Sequence, residues 1–190
     1  MTATDVLRAE HEGIKSMLAV LGELARRADA GGLILSDTRQ VLEFFREFAD
    51  RCHHGKEERQ LFPTLESAGV AREGGPIGAM LAEHDQGRAA AKAMADALAR
   101  LSRGRESAYG DFARAAREYI SILTAHIAKE DGVLFPLAER VLPVWVQERL
   151  ARAFDKIEAE EMGLGTHERY HAMIDLLGGK YLAQAGHVCG

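Results

Sequence analysis

Apolar residues recur every three or four positions along most of the chain, the spacing that keeps one face of an α-helix buried. Leu7, His11, Ile14, Leu18 and Leu21 set this stripe over residues 4–29, and the AGG at 30–32 stops it. Asp37 with Gln40 reads as a capping box opening a second helix, whose stripe runs through Val41, Phe45, Phe48 and Cys52 and ends between Pro63 and Gly69. GGP at 74–76 puts a proline at the start of a third helix, traced by Ile77, Met80, Leu81, His84, Ala91, Met94, Leu98 and Leu101. SRGRES at 102–107 is the next break, and Phe112, Ala116, Tyr119, Ile120, Leu123 and Ile127 carry a fourth helix to Pro136. A shorter helix near residues 144–161, a break at Gly163 and Gly165, and a sixth candidate over residues 166–177 follow. The final GGKYLAQAGHVCG reads as poorly ordered. The prediction is an all-α protein whose four long helices form a bundle.

Two of these stripes carry a histidine on the apolar face, and the second helix ends in the dense cluster HHGKEERQLFP at 53–63. An internal repeat explains most of it. That cluster overlays HIAKEDGVLFP at 126–136 with His, Lys, Glu, Leu, Phe and Pro identical, at an offset of 73 residues. The same offset carries AEH at 9–11 onto AEH at 82–84. Each half therefore holds one His on its first helix and a His-x-x-x-Glu on its second, which suggests a duplicated hairpin with two facing half-sites. The overlay selects His53 with Glu57 and His126 with Glu130, because Ile127 and Asp131 stand opposite His54 and Glu58. At about 3.6 residues per turn, His53 lies about 100° from the stripe centre and His54 about 160° away, on the solvent side.

Such a set has a definite chemistry. His and Glu at i and i+4 share one helix face, so two such pairs plus two more histidines supply four imidazoles and two carboxylates to a bundle core. Carboxylates able to bridge two cations, with no thiolate present, favour non-haem di-iron or an iron–manganese pair over zinc or copper. The set fills about eight of about twelve ligand positions, and an oxo or hydroxo bridge fills about two more. Places remain for a small ligand.

Composition excludes more than it selects. With 47% hydrophobic residues in 190, the chain can bury a sizeable core, and 6% aromatic content among abundant Ala, Leu, Glu and Arg favours helix. A net charge of -5 with interspersed signs argues against a nucleic-acid surface. The N-terminus lacks an apolar leader core, and no run approaches a membrane span, so the expectation is a cytoplasmic protein without a membrane partner. Cys52 and Cys189 do not make a disulfide framework, which fits a reducing compartment. Oligomeric state is not readable.

The pattern of an isolated His, HxxxE with LFP, a second isolated His and again HxxxE with LFP resembles the bacterial hemerythrin-like, or HHE cation-binding, domain. The resemblance covers about residues 3–140. It implies an up-down four-helix bundle over residues 1–140, followed by a C-terminal helical extension over 141–190. It also implies a centre of two non-haem iron ions, oxo- or hydroxo-bridged, held by His11, His53, Glu57, His84, His126 and Glu130. Oxygen-carrying hemerythrins have HxxxH on the third helix and a final Asp, whereas this chain has HDQGR and Glu130, which weighs against a carrier role. The two-glutamate form is closer to bacterial proteins that repair iron centres and to iron-sensing eukaryotic domains.

Blander readings stand beside these. A single His on an apolar stripe is more often a hydrogen-bonded core residue, and only repetition reverses this. His54 with Glu58 reads as surface patterning, a supporting role beside the site being the alternative for Glu58. LFP reads as core packing that ends or kinks the helix, and Cys52 as packing. In the extension, His167 is expected to add a ligand or an outer contact, with Glu160 or Glu161 as further donors and His171 at ligand spacing. The alternative is an extension that covers apolar surface with Trp145, Leu150, Phe154, Met173 and Leu177. The expected function is a di-iron protein that binds or reacts with O2, peroxide or NO. Catalytic turnover, iron handling or sensing without turnover, and a vestigial site are the alternatives.

Overall fold

The computed structural model of the chain describes residues 1–162 and 166–183, with side chains throughout these except at 161, 162, 166 and 167. Every regular element among the described residues is a helix. Helix α1 (Ala3–Asp29) opens on a capping box in which the Thr2 hydroxyl accepts from the Asp5 N–H and the Asp5 carboxylate accepts from the Thr2 N–H. It closes on Gly31 at φ +72°, where the Gly32 N–H returns to the Arg27 carbonyl.

The second rod is continuous but not uniformly wound. Helix α2 (Leu35–Phe44) runs into π-helical turns over Phe45–His54 and again over Glu57–Leu61, then into α3 (Phe62–Ser67). The expected capping box is absent: Ile34 precedes the first helical residue with no side-chain cap, and Asp37 is already inside the helix. Its carboxylate instead accepts from Lys180 Nζ and Tyr181 Oη. After α4 (Pro76–Leu101) and α5 (Ala108–Lys129), the fourth rod repeats the device. π-helical turns over Glu130–Leu134 lead into α6 (Phe135–Val141).

The LFP motifs therefore do not end these rods. Pro63 and Pro136 follow directly on π-helical turns, in which the Phe62 and Phe135 N–H groups reach back five residues to the Glu57 and Glu130 carbonyls. The wider turn takes up the missing proline donor and the ring's clash with the preceding turn.

Helix α5 lies along both α1 and α4. Helix α7 (Val144–Met162) crosses α1 and the π-helical part of the second rod, and α8 (Thr166–Tyr181) lies along α1. Leu150, Phe154 and Leu177 are buried as the covering role expects, but Trp145 is 61% exposed and faces solvent with Arg149 over its ring. The start of the tail is helical despite its glycines, and residues 184–190 lie outside the described residues. Helix α8 continues through Gly178 and Gly179 to a fully buried Tyr181, whose packing outweighs a helix penalty of about 1 kcal/mol per glycine. No helix among the described residues is long and apolar enough to cross a membrane.

The core is split. One apolar cluster includes Ile14, Phe45, Ala49, Ala90 and Leu123, and the other includes Leu7, Leu61, Met80, Leu134 and Phe154. On each of the four rods the residues that separate the two clusters are the polar ones: His11, His53 with Glu57, His84, and His126 with Glu130. A buried polar layer thus cuts across an otherwise apolar interior.

Candidate metal centre

All six of these side chains are buried to within 1% of full enclosure, and the four histidines converge in two pairs. His11 Nε2 stands 3.1 Å from His53 Nε2, and His84 Nε2 stands 3.2 Å from His126 Nε2. Each imidazole turns its other nitrogen to a carboxylate. His11 Nδ1 bonds Asp131 at 2.8 Å, His53 Nδ1 bonds Glu10 at 2.8 Å, His84 Nδ1 bonds Glu58 at 2.7 Å, and His126 Nδ1 bonds Glu83 at 3.1 Å. A carboxylate can only accept, so each Nδ1 carries a proton, and in the neutral ring Nε2 is left with a lone pair. Two lone pairs about 3 Å apart repel unless a proton or a cation lies between them.

The two glutamates complete the arrangement. Glu130 Oε2 lies 3.2 Å from both His11 Nε2 and His126 Nε2, joining the two imidazole pairs. Glu57 does the same from the other side, 3.8 Å from His53 Nε2 and 3.4 Å from His84 Nε2. None of the four oxygens of Glu57 and Glu130 takes part in a hydrogen bond of proper geometry, although all are buried. Buried carboxylates without partners are costly, and a cation held by both would satisfy them.

His54 departs from the sequence expectation. It is buried, not on the solvent side: its ring stacks on His84 with centroids 3.8 Å apart, and its Nε2 is enclosed with no hydrogen-bond partner. The phase estimate assumed 3.6 residues per turn, whereas the ten residues Phe45–His54 are wound more widely, which carries position 54 inward. The potential donor atoms form two groups, each within 4.8 Å: His54, Glu57, His84 and His126 in one, and His11, His53, Glu57 and Glu130 in the other. Glu58 is partly exposed, yet it takes the alternative role beside the site, accepting from His84 Nδ1.

Around this layer the repeat recurs. Lys56 bonds Glu10 and Lys129 bonds Glu83, so the two carboxylates that orient the second-helix imidazoles are each oriented by a lysine, and Arg88 holds Glu58. Phe62 stacks on His84 at 5.8 Å and Phe135 on His11 at 5.4 Å, which gives the LFP motif a place in the wall of the site. Glu10, Glu83 and Asp131 were not singled out from sequence, yet the repeated AEH and the matched acidic residue after each HxxxE were the available signal.

The electrostatics are those of a cation seat. Burial alone would lower the imidazoles, but Glu57 and Glu58 raise His84 to about 9, and Glu130 raises His11 and His126. Burial would raise Glu130, but His11 and His126 hold it well below the carboxylate range. The hydrogen bond from His84 brings Glu58 down to about 2. His54, which faces other imidazoles, is pushed well below its ordinary value by burial and by His84. Cys52 is a free thiol raised to about 12 by burial, in keeping with a packing role.

The extension reaches the layer through α7. The His167 and Glu161 side chains lie outside the described residues. Glu160 is exposed and pairs with Lys156 at 3.7 Å, and His171 is exposed. It is Glu158 of α7 that approaches, bonding Lys56 Nζ at 3.0 Å from the side opposite Glu10.

Uncharacterized proteins of Mycobacterium tuberculosis and Mycobacterium bovis are 26% identical over 167 residues, covering 86% of this chain. The chain spans 64% of the length of these relatives. No solved structure matches it with significance. The model of the hemerythrin HHE cation binding domain matches residues 2–138, nearly the whole of the four rods that bring the histidines and glutamates together, and the chain belongs to this family.

Proposed function

We propose that the chain is a non-haem di-iron protein of the hemerythrin-like type that binds or reacts with O2, peroxide or NO. In this reading residues 1–140 are an up-down four-helix bundle that holds the ions, and 141–190 are a C-terminal helical extension. The observation that carries the reading is the pair of donor groups sharing Glu57, with four buried carboxylate oxygens that lack hydrogen bonds. Their donors are imidazole and carboxylate without thiolate, a set that suits iron.

Two adjacent iron ions, when bound, would supply electrons to a small oxidant such as O2 or peroxide. The protein does the rest. Glu10, Glu58, Glu83 and Asp131 fix the four Nδ1 protons so that every Nε2 faces inward, and Phe62 and Phe135 close the flanks against water. His11, His53, Glu57, His84, His126 and Glu130 are the ligands in this reading, with His167 of the extension adding a ligand or an outer contact.

The test is anaerobic reconstitution with ferrous iron, followed by metal analysis and by optical and electron-paramagnetic spectra before and after O2, hydrogen peroxide or NO. Two ions per chain and a spectral change with at least one of the three support the reading. One ion or none, or a loaded protein inert to all three, overturns it.

A further inference from the structure

A groove of about 610 Å3 runs over the surface between the second rod and α4. Phe45, Ala91 and Leu98 give it an apolar floor. Among its described lining residues are four cations, Arg39, Arg46, Arg88 and Lys92, against two carboxylates, Glu43 and Asp50. Of the seven residues in the two donor groups, His54 alone lines this groove. Its Nδ1 faces Asp50 Oδ1 at 3.4 Å, and Arg88 ties Asp50 to Glu58 beside it.

His54 differs from the other four imidazoles in three respects. It has no counterpart in the second repeat, where Ile127 stands. Its Nδ1 contact is long, while the other four are anchored at 2.7–3.1 Å. Its Nε2 is buried and unpartnered, yet lies among the donor atoms of Glu57, His84 and His126. A donor that is loosely held, aimed at a cation seat and open on its other side to a solvent groove is built to be exchanged.

We propose that His54 is a displaceable ligand of the metal position formed by Glu57, His84 and His126, and that small anions entering through the groove exchange with it. The proposal rests on the di-iron reading above. The exchange is a substitution: a neutral imidazole leaves, an anion enters, and no electron moves. The stacked face of His84 and the groove volume give the departing ring somewhere to go. Arg88, Arg46 and Lys92 are paired with carboxylates, while Arg39, which bonds the Ser102 hydroxyl, can meet an anion at the entrance.

The test uses full-length protein reconstituted with ferrous iron and then oxidised, with azide as the probe. His54→Ala and, in case that variant folds poorly, His54→Gln are compared with the unchanged chain. Both are expected to keep two ions per chain, to shift the ligand-to-metal absorption before azide is added, and to bind azide about tenfold more tightly because no internal ligand competes. Ala91→Phe, which narrows the groove, is expected to slow azide association without altering the final spectrum. If both His54 variants keep the original spectrum and azide affinity, His54 is not a ligand. If both lose one ion, it is a fixed ligand rather than an exchangeable one. If the loaded protein binds no azide in any variant, the anion route is wrong. Each of these outcomes overturns the proposal alone, whereas failure of the unchanged chain to take up iron overturns the di-iron reading and the proposal with it.

Discussion

His11 and Asp131 are joined across the polar layer by a 2.8 Å hydrogen bond from one repeat to the other, and Glu58 makes the reciprocal bond to His84 at 2.7 Å. The halves are thus interlocked: each lends a carboxylate to orient the first-helix histidine of its partner. Replacing Asp131 by Asn or Glu58 by Gln keeps an acceptor but removes the charge that makes the imidazole a strong donor to metal. Iron affinity, measured by competition with a chelator, is expected to fall about 10–100-fold in each. Glu57→Ala and Glu130→Ala are expected to lose bound iron almost entirely. Equal losses across all four variants would erase the distinction drawn between ligands and their supports.

Acidity gives a second expectation. In metal-free protein His84 titrates at about 9, against an ordinary 6.5, because Glu57 and Glu58 outweigh the cost of burial. A raised value means that the protonated ring stabilises the fold fully below about pH 6.5, and that this contribution is lost as pH rises through 9. Apo protein should therefore lose stability in urea melts between these limits, and iron-loaded protein should not, because the ligand must already be deprotonated. Loading at pH 7.5 should also release protons, detectable in weakly buffered solution. Parallel pH profiles for the two forms would contradict the assignment.

Lys56 is fully buried between Glu10, which orients His53, and Glu158 of α7. Lys56→Met leaves Glu10 enclosed without its cation, and a loss of about 3 kcal/mol in stability is expected. Glu158→Gln, on the partly exposed side, should cost less than about 1 kcal/mol. The double variant should show less than the sum, since both act on one network. Additive effects in denaturant melts would mean that α7 is not coupled to the layer through Lys56.

A third ion pair fastens the C-terminal helix. Burial raises the Asp37 carboxyl, but Lys180 and Tyr181 overcome this and hold it below its ordinary 3.8. A lowered carboxylate stabilises above the unfolded value and loses that contribution as pH falls through the folded one. Amide exchange in α8 should accelerate below about pH 4 before the rest of the fold opens. Asp37→Asn should produce the same selective loosening at neutral pH, at a cost of about 1–2 kcal/mol. Unchanged exchange in α8 would show that its apolar face alone holds it.

Much of this architecture was legible from spacing. The stripe through Leu7, His11, Ile14 and Leu18 and the 73-residue repeat are local facts of sequence, and the helices and the six inward donors follow from them. What escaped was set by winding and by distant partners. No propensity announces that Phe45–His54 is π-helical, so a phase estimate placed His54 in solvent. Asp37 looked like a cap because its partners, Lys180 and Tyr181, are more than 140 residues away. The glycines at 178 and 179 hid the end of the last described helix, because Tyr181 just beyond them packs into the core.

The duplication is imperfect, and its mismatch of His54 with Ile127 makes the two seats unequal. One gathers three imidazoles and a single carboxylate, His54, His84, His126 and Glu57; the other gathers two of each, His11, His53, Glu57 and Glu130. Anionic oxygen stabilises higher cation charge better than neutral nitrogen does. Two identical ions placed there would not stay identical. The oxygen-rich seat would be the easier of the two to oxidise, and a pair sharing an odd electron would keep it on the nitrogen-rich side. A mutation as small as His54 to the isoleucine of its repeat would remove the extra imidazole and narrow that difference in potential.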